Sequence, residues 1–258
     1  MDTCFRHSVL FYQNESFLQE TVASLFASAL ARNEAVLSVA TKENTQAILS
    51  ALSKKQVPIG EHLESGRLTT IEASALLSKL LAHEWPEQPL FDAAVTPLIA
   101  EKRKHFKNVH VYGEMVNLLW QSGLSSAALR LEEIWNTLGK SQAISLSCGY
   151  QLNLFENEKN LDVVQRVCLE HADENAFEDS SRVEQAFHRA FADTMGADQS
   201  AMVYFTARQE NPKGWLWSLD GIFWLREHMP ITAAKVMDRA RTIYQQICGS
   251  PVELTSAN

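Results

Sequence analysis

The chain has 258 residues, 46% of them hydrophobic and 21% charged, with a formal net charge of −8 at pH 7. That length and composition suit one large domain, or one domain with an appendage, and supply a sizeable core. The acidic balance argues against a general nucleic-acid binder, which carries a basic face.

The one basic run, "EKRKHFK" from Glu101 to Lys107, reads as the solvated end of a helix near its negative dipole terminus. No stretch is apolar over the length that a membrane span needs, and no secretory leader pattern is expected from "MDTCFRHSV". Cys4, Cys148, Cys168 and Cys248 lie far apart without a C-x-x-C pair. That is the usage of reduced thiols, so a cytoplasmic protein is expected.

The first 150 or so residues alternate strand and helix signals. "SVLFY" (Ser8 to Tyr12) is a short β-favouring apolar run, and Phe17, Leu18, Val22, Leu25, Phe26, Ala29 and Leu30 then recur at helical spacing. Between them, Asn14 or Ser16 is the expected helix cap, with Ser16-x-x-Gln19 forming a capping box. "AVLSVAT" (Ala35 to Thr41) is a second strand, followed by a helix from about Glu43 to Lys54, and Leu68 to Ile71 a third strand. After a break around Pro86 and Pro89 a helix carries Phe91, Val95, Leu98 and Ile99, and "VHVYGEM" supplies strand four, ending near Tyr112. A helical pair broken at Gly123 follows, its second member burying Leu124, Ala127, Ala128, Leu131, Trp135 and Leu138, and Ala143 to Tyr150 is strand five.

Apolar strands separated by helices predict an α/β fold with a mostly parallel central sheet covered on both faces. Ligands in such folds sit outside the strands' carboxyl ends, here Tyr12 to Asn14, Thr41 to Lys42, Glu72, Gly113 to Glu114 and Cys148 to Tyr150. The remainder reads as helical. A short helix covers Leu161 to Glu170, and the acidic stretch from Asp173 to Ser181 is a linker. Further helices bury Val183, Phe187 and Phe191, then Leu219, Ile222 and Phe223, and a last one, capped by Thr232, is stopped by Gly249 and Pro251. "AMVYFTA" fits either helix or strand. The division is thus an α/β domain over about residues 1–158, a helix and linker over 159–180, a helical module over 181–250 and a tail.

The order of these signals resembles the MEDS domain, the methanogen/methylotroph sensory domain first described in a dichloromethane-responsive repressor. "HSVLFYQNESFL", "LARNEAVLSVATKE", "GRLTTIEA", "VHVYGEMVNLLWQSG", "AALRLEEIWNTLGK", "SLSCGYQL" and "VCLEHAD" carry the resemblance over about Arg6 to His171. It implies a RecA/KaiC-like sheet and a role in sensing small molecules, hydrocarbon derivatives among them, and signalling to an attached segment. Of the family's "C-x-x-H-S-H-V-x-P-x-E" ending, Cys168 and His171 match and Ala172 departs.

A phosphate-cradling loop needs G-x-x-x-x-G-K-[ST], and the chain has no such string; its first strand-to-helix corner is only Gln13-Asn14-Glu15-Ser16. ATP turnover is therefore not expected. Glu114 ends an apolar strand and reads as a ligand contact or as a first-turn carboxylate on a helix dipole. Tyr12 offers a ring and a hydroxyl at the same edge. Trp120 suits an aromatic wall or the core; Trp135 lies on a core stripe. Glu132 and Asn136, an i, i+4 pair, face a pocket rim or water. His7 reads as a structural hydrogen-bonder, and Cys148 as a small buried thiol at the ligand edge. Cys168-x-x-His171 lacks the second pair that structural zinc needs, so no metal and no cofactor is expected.

The expected ligand-binding residues are therefore Tyr12, Asn14, Glu114, Trp120, Glu132, Asn136 and Cys148, with no catalytic residue. The expected function is that of a sensory or regulatory protein in signal transduction or transcriptional control, binding a small, partly apolar molecule and relaying through the helical module. Trp215, Trp217, Phe223 and Trp224 offer a surface for a protein partner or self-association, whereas Lys235, Arg239 and Arg241 are thin for nucleic acid. The alternatives are an adaptor that binds a kinase or transcription factor without a ligand, and an enzyme using Glu114 as general base.

Overall fold

The structure is a computed structural model describing residues 5–142, 144–156, 158–170, 176–210 and 216–249. In chain order the elements are β1 (Arg6–Tyr12), α1 (Glu15–Ala31), β2 (Ala35–Ala40), α2 (Lys42–Lys54), α3 (Ile59–Glu64), β3 (Leu68–Glu72) and α4 (Ala73–Leu80). A small hairpin of β4 (Leu81–Ala82) and β5 (Trp85–Pro86) precedes α5 (Gln88–Ala94), α6 (Thr96–His105), β6 (Val109–Gly113), α7 (Met115–Gln121), α8 (Ser125–Gln142) and β7 (Ser145–Gln151). Then come α9 (Glu158–Glu170), β8 (Ala176–Phe177), α10 (Ser180–Met195), α11 (Ala197–Glu210), α12 (Trp217–His228) and α13 (Pro230–Cys248). Two compact units result: residues 1–152 with 166–178, and residues 153–165 with 179–258.

The first unit is the expected α/β fold. Its sheet runs β3-β2-β6-β7-β1-β8 with every neighbouring pair parallel. All six residues of β2 are buried, which is why that segment is apolar on both faces but for Ser38 and shows no alternation. On one face α1 buries Leu18, Val22, Phe26 and Leu30 against Leu10, Val36 and Tyr112. Each such side chain contributes about 1.5–3 kcal/mol by leaving water. On the other face α8 buries Ala127, Ala128, Leu131, Trp135 and Leu138, with Trp135 edge-on to Phe91 at 4.8 Å.

Three local expectations change. The stretch expected to be a linker from Asp173 to Ser181 contains β8 and the start of α10. Phe177 stacks on Phe11 at 4.6 Å, and that packing draws the segment onto the sheet edge; residues 173–175 lie outside the described residues. Nor is "EKRKHFK" wholly solvated. Glu101 and Lys104 are exposed and pair with each other, but Lys102 is only 7% exposed, because it follows Leu98 and Ile99 on the buried stripe of α6. Finally, α13 begins at Pro230 and not after Thr232, since proline's fixed φ suits a first helical turn.

In the second unit, "AMVYFTA" belongs to helix α11. Phe155 stacks on Tyr244 at 4.5 Å and lies 5.3 Å from Phe187, which gathers the buried faces of α10 and α13. Phe223 is buried, Trp217 is 50% exposed beneath the Arg208 guanidinium, and Trp224 stacks on His228. Trp215, Pro251, His171 and Cys4 lie outside the described residues.

Candidate functional site

The corner between β1 and α1 lacks a phosphate loop, yet it holds an anion, and that anion is the chain's own. Glu178 Oε2 accepts the backbone N–H of Gln13 at 2.6 Å and that of Asn14 at 2.9 Å, and Oε1 accepts from the Asn14 amide nitrogen. Glu178 is delivered there by the pairing of β8 with β1 and by its own N–H on Phe11 O at 2.8 Å. Asn14 is the helix cap by backbone geometry, but its side chain makes no capping bond; the distant carboxylate supplies one instead.

Burial works against the charged form of Glu178, but the bonds from Asn14 and Gln13 outweigh it and hold the carboxyl below its ordinary range. A depressed carboxyl contributes stability that is present above the unfolded pKa and is lost as pH falls through the folded one. Glu178→Gln is expected to cost about 1 kcal/mol at pH 7, with the difference closing below about pH 4. Urea melts of both proteins across that range check it; a constant difference would remove the charge from the account.

The seven residues expected at one strand-edge pocket fall into separate places. On the α1 face, Glu114 Oε2 accepts the Thr41 N–H at 2.8 Å and Oε1 accepts the Tyr112 hydroxyl at 3.1 Å. The Tyr12 hydroxyl accepts from Asn117 Nδ2 at 3.3 Å, and Asn117 Oδ1 in turn accepts the Gln151 N–H. Gly149 lies between the tyrosines, where an added Cβ would come within 2.9 Å of the Tyr112 oxygen. Burial pushes Glu114 up, and burial followed by the nearby Glu114 pushes both phenols up.

On the opposite, α8 face, Glu132 and Cys148 are fully buried and His7 is 1% exposed. Glu132 Oε1 accepts the Tyr150 hydroxyl at 2.9 Å, while Oε2 lies 3.2 Å from His7 Nε2 and 3.4 Å from Cys148 Sγ. His7 Nδ1 stands 2.8 Å from Asn136 Oδ1. Glu132 thus faces neither a rim nor water: the i, i+4 pair points inward at β1 and β7. Burial, then Glu132, pushes the Cys148 thiol and the Tyr150 phenol well up. Asn14 is at the Glu178 corner, and Trp120 is half-buried on α7, in neither set of bonds described above.

A cavity of about 410 Å³ lies elsewhere, between α6 and the strands β2 and β3, lined by Leu37, Thr69, Pro97, Leu98, Lys102 and Phe106 among others. It sits toward the amino ends of β3 and β6, not at the carboxyl edge, where Tyr12, Tyr112, Glu114 and Asn117 pack against one another. Lys102 Nζ donates to Gly66 O and to Thr69 Oγ1, both at 2.8 Å. Removal from water pulls its amine down to about 8. Its signal in the sequence is a lysine three residues after Ile99 and four after Leu98, on the apolar stripe itself. Glu178 had no such signal, since its partners are 164 and 165 residues away.

The family model of the MEDS domain, "MEthanogen/methylotroph, DcmR Sensory domain", matches residues 6–166. The chain belongs to the MEDS family. Its role is accordingly sensory or regulatory. The MEDS match takes in both faces of the sheet and the whole Lys102 cavity, while Glu178 lies beyond it. No curated protein matches the chain. No described helix is long and apolar enough to cross a membrane.

Proposed function

We propose that the MEDS unit senses a small, partly apolar molecule, carries out no catalysis, and relays occupancy to the helical unit to control signalling or transcription. The observation that carries this reading is the cavity beside α6: about 410 Å³, largely apolar, with one buried amine. Such a space suits a ligand with a hydrocarbon or halocarbon body and one acceptor or anionic group for Lys102 Nζ. The β1–α1 corner supports a phosphate-loop ancestry of RecA/KaiC kind with the phosphate chemistry withdrawn, because a carboxylate already takes the amides that a phosphate would need. Glu178 also precedes Asp179, where the second unit resumes, which makes the β8 segment a natural relay. A ligand shifts such a relay only by binding two states unequally.

An adaptor reading draws on one observation: Met202 and Phe205 of α11 are 70% and 65% exposed, which suits a protein partner or a second copy. The enzyme reading has only the raised Glu114 carboxyl, and both its oxygens already accept bonds from the fold.

A thermal-shift screen tests the proposal, using medium-chain carboxylates, halogenated hydrocarbons and magnesium ATP as probes. A ligand at a hundred times its Kd adds about 2.7 kcal/mol of stability, so a clear rise in Tm is expected with a partly apolar compound, absent in Lys102→Met. ATP hydrolysis lost in Glu114→Gln would replace the sensory reading with a catalytic one.

A further inference from the structure

We propose that His7, Glu132 and Cys148 bind one thiophilic divalent cation, zinc in the first instance, between β1, β7 and α8. The three donor atoms, His7 Nε2, Glu132 Oε2 and Cys148 Sγ, form a closed triangle with edges of 3.2, 3.4 and 3.4 Å. Tetrahedral zinc, with bonds of about 2.0–2.3 Å to nitrogen, oxygen and sulfur, holds its ligand atoms about 3.3–3.6 Å apart. The triangle therefore accepts the ion with shifts of a few tenths of an ångström.

Charge and orientation agree with the distances. A neutral imidazole, a carboxylate and a thiolate together carry two negative charges, which one divalent ion neutralises. The mix of sulfur and nitrogen donors selects zinc-like ions over magnesium or calcium. The next layer is also in place. Asn136 Oδ1, 2.8 Å from His7 Nδ1, can only accept a hydrogen bond, which suits the tautomer with the proton on Nδ1 and the Nε2 lone pair toward the triangle. The Tyr150 hydroxyl on Oε1 at 2.9 Å fixes the carboxylate with Oε2 toward His7 and Cys148. Partners of this kind fix ring tautomer and carboxylate direction in metal sites.

The three ligands come from the start of β1, the middle of β7 and the first half of α8, so the ion clamps residues up to 141 positions apart in sequence. At 0–1% exposure these groups load the ion as the chain folds, and three protein ligands leave a fourth position for water or a small donor. The inference is independent of the Lys102 cavity, which is lined by other elements.

The test expresses the full chain in zinc- or cobalt-supplemented minimal medium, washes it with a chelator and measures metal content and absorption. About one equivalent per chain is expected, and cobalt should give a thiolate-to-cobalt charge-transfer band with tetrahedral d–d absorption. Cys148→Ser should lose the charge-transfer band and Cys168→Ser should keep it. Asn136→Ala, which leaves all three ligands in place, should weaken binding about 10- to 100-fold. Folded wild-type protein with no more than trace metal and no thiolate band overturns the proposal whatever the variants do. So does a band that survives Cys148→Ser or vanishes in Cys168→Ser.

Discussion

Lys102→Met is expected to stabilise the chain at neutral pH by about 1–3 kcal/mol while abolishing the response to an anionic ligand. Lys102 is 7% exposed, and desolvation lowers its amine from 10.5 to about 8. The unfolded chain holds that proton up to the ordinary lysine range, whereas the folded chain sheds it near 8. Between those values the unfolded state binds more protons, so stability rises with pH. Below about pH 8 both states are charged and the full penalty applies, at about 1.4 kcal/mol for each tenfold loss of proton affinity on folding. The bonds to Gly66 O and Thr69 Oγ1, which methionine leaves unmade, offset part of the gain.

The stability advantage of the variant should thus be largest at pH 7 and shrink from about pH 8 to 10. Tyr12, Tyr112 and Cys148, whose burial holds their protons on in the folded chain while the unfolded chain gives them up, contribute with the opposite sign, but equally in both proteins, so they cancel in the difference. Urea midpoints at four pH values measure it. An advantage that stays flat or widens with pH would sink the account of Lys102 as a charge held against its solvation. A lysine kept at such a cost is what a binding site requires and a packing role does not.

Trp135→Ala should cost about 3–5 kcal/mol, a large share of the 5–15 kcal/mol that holds a typical domain folded. Trp135 is 0% exposed and meets Phe91 edge-on at 4.8 Å, on the stripe that Leu131 and Leu138 continue. Truncation opens a cavity between α8 and α5 that the neighbours refill only in part. Denaturant melts should show a lower midpoint with an unchanged slope. A loss under about 1 kcal/mol would mean that the indole borders an open space and does not fill the core.

What can be read directly from the order of residues is whatever depends on near neighbours. The mostly apolar run of β2 and the helical stripe of α8 are local patterns, and both elements lie where those patterns put them. The family, too, is legible, since its motifs follow one another along the chain. The candidate site is not. Tyr12 ends β1 and Cys148 lies in the middle of β7, and they point to opposite faces of the sheet, because side-chain direction depends on register and a single residue's step reverses it. Glu132 looks like a rim residue until α8 is laid across β1 and β7, and Glu178 looks like part of a linker until Phe177 docks on Phe11. Lys102 sits among charged neighbours in sequence, while its burial follows from α6 lying over β2 and β3. Each of these depends on the strand order β3-β2-β6-β7-β1-β8, which brings together segments more than a hundred residues apart and which no local periodicity encodes.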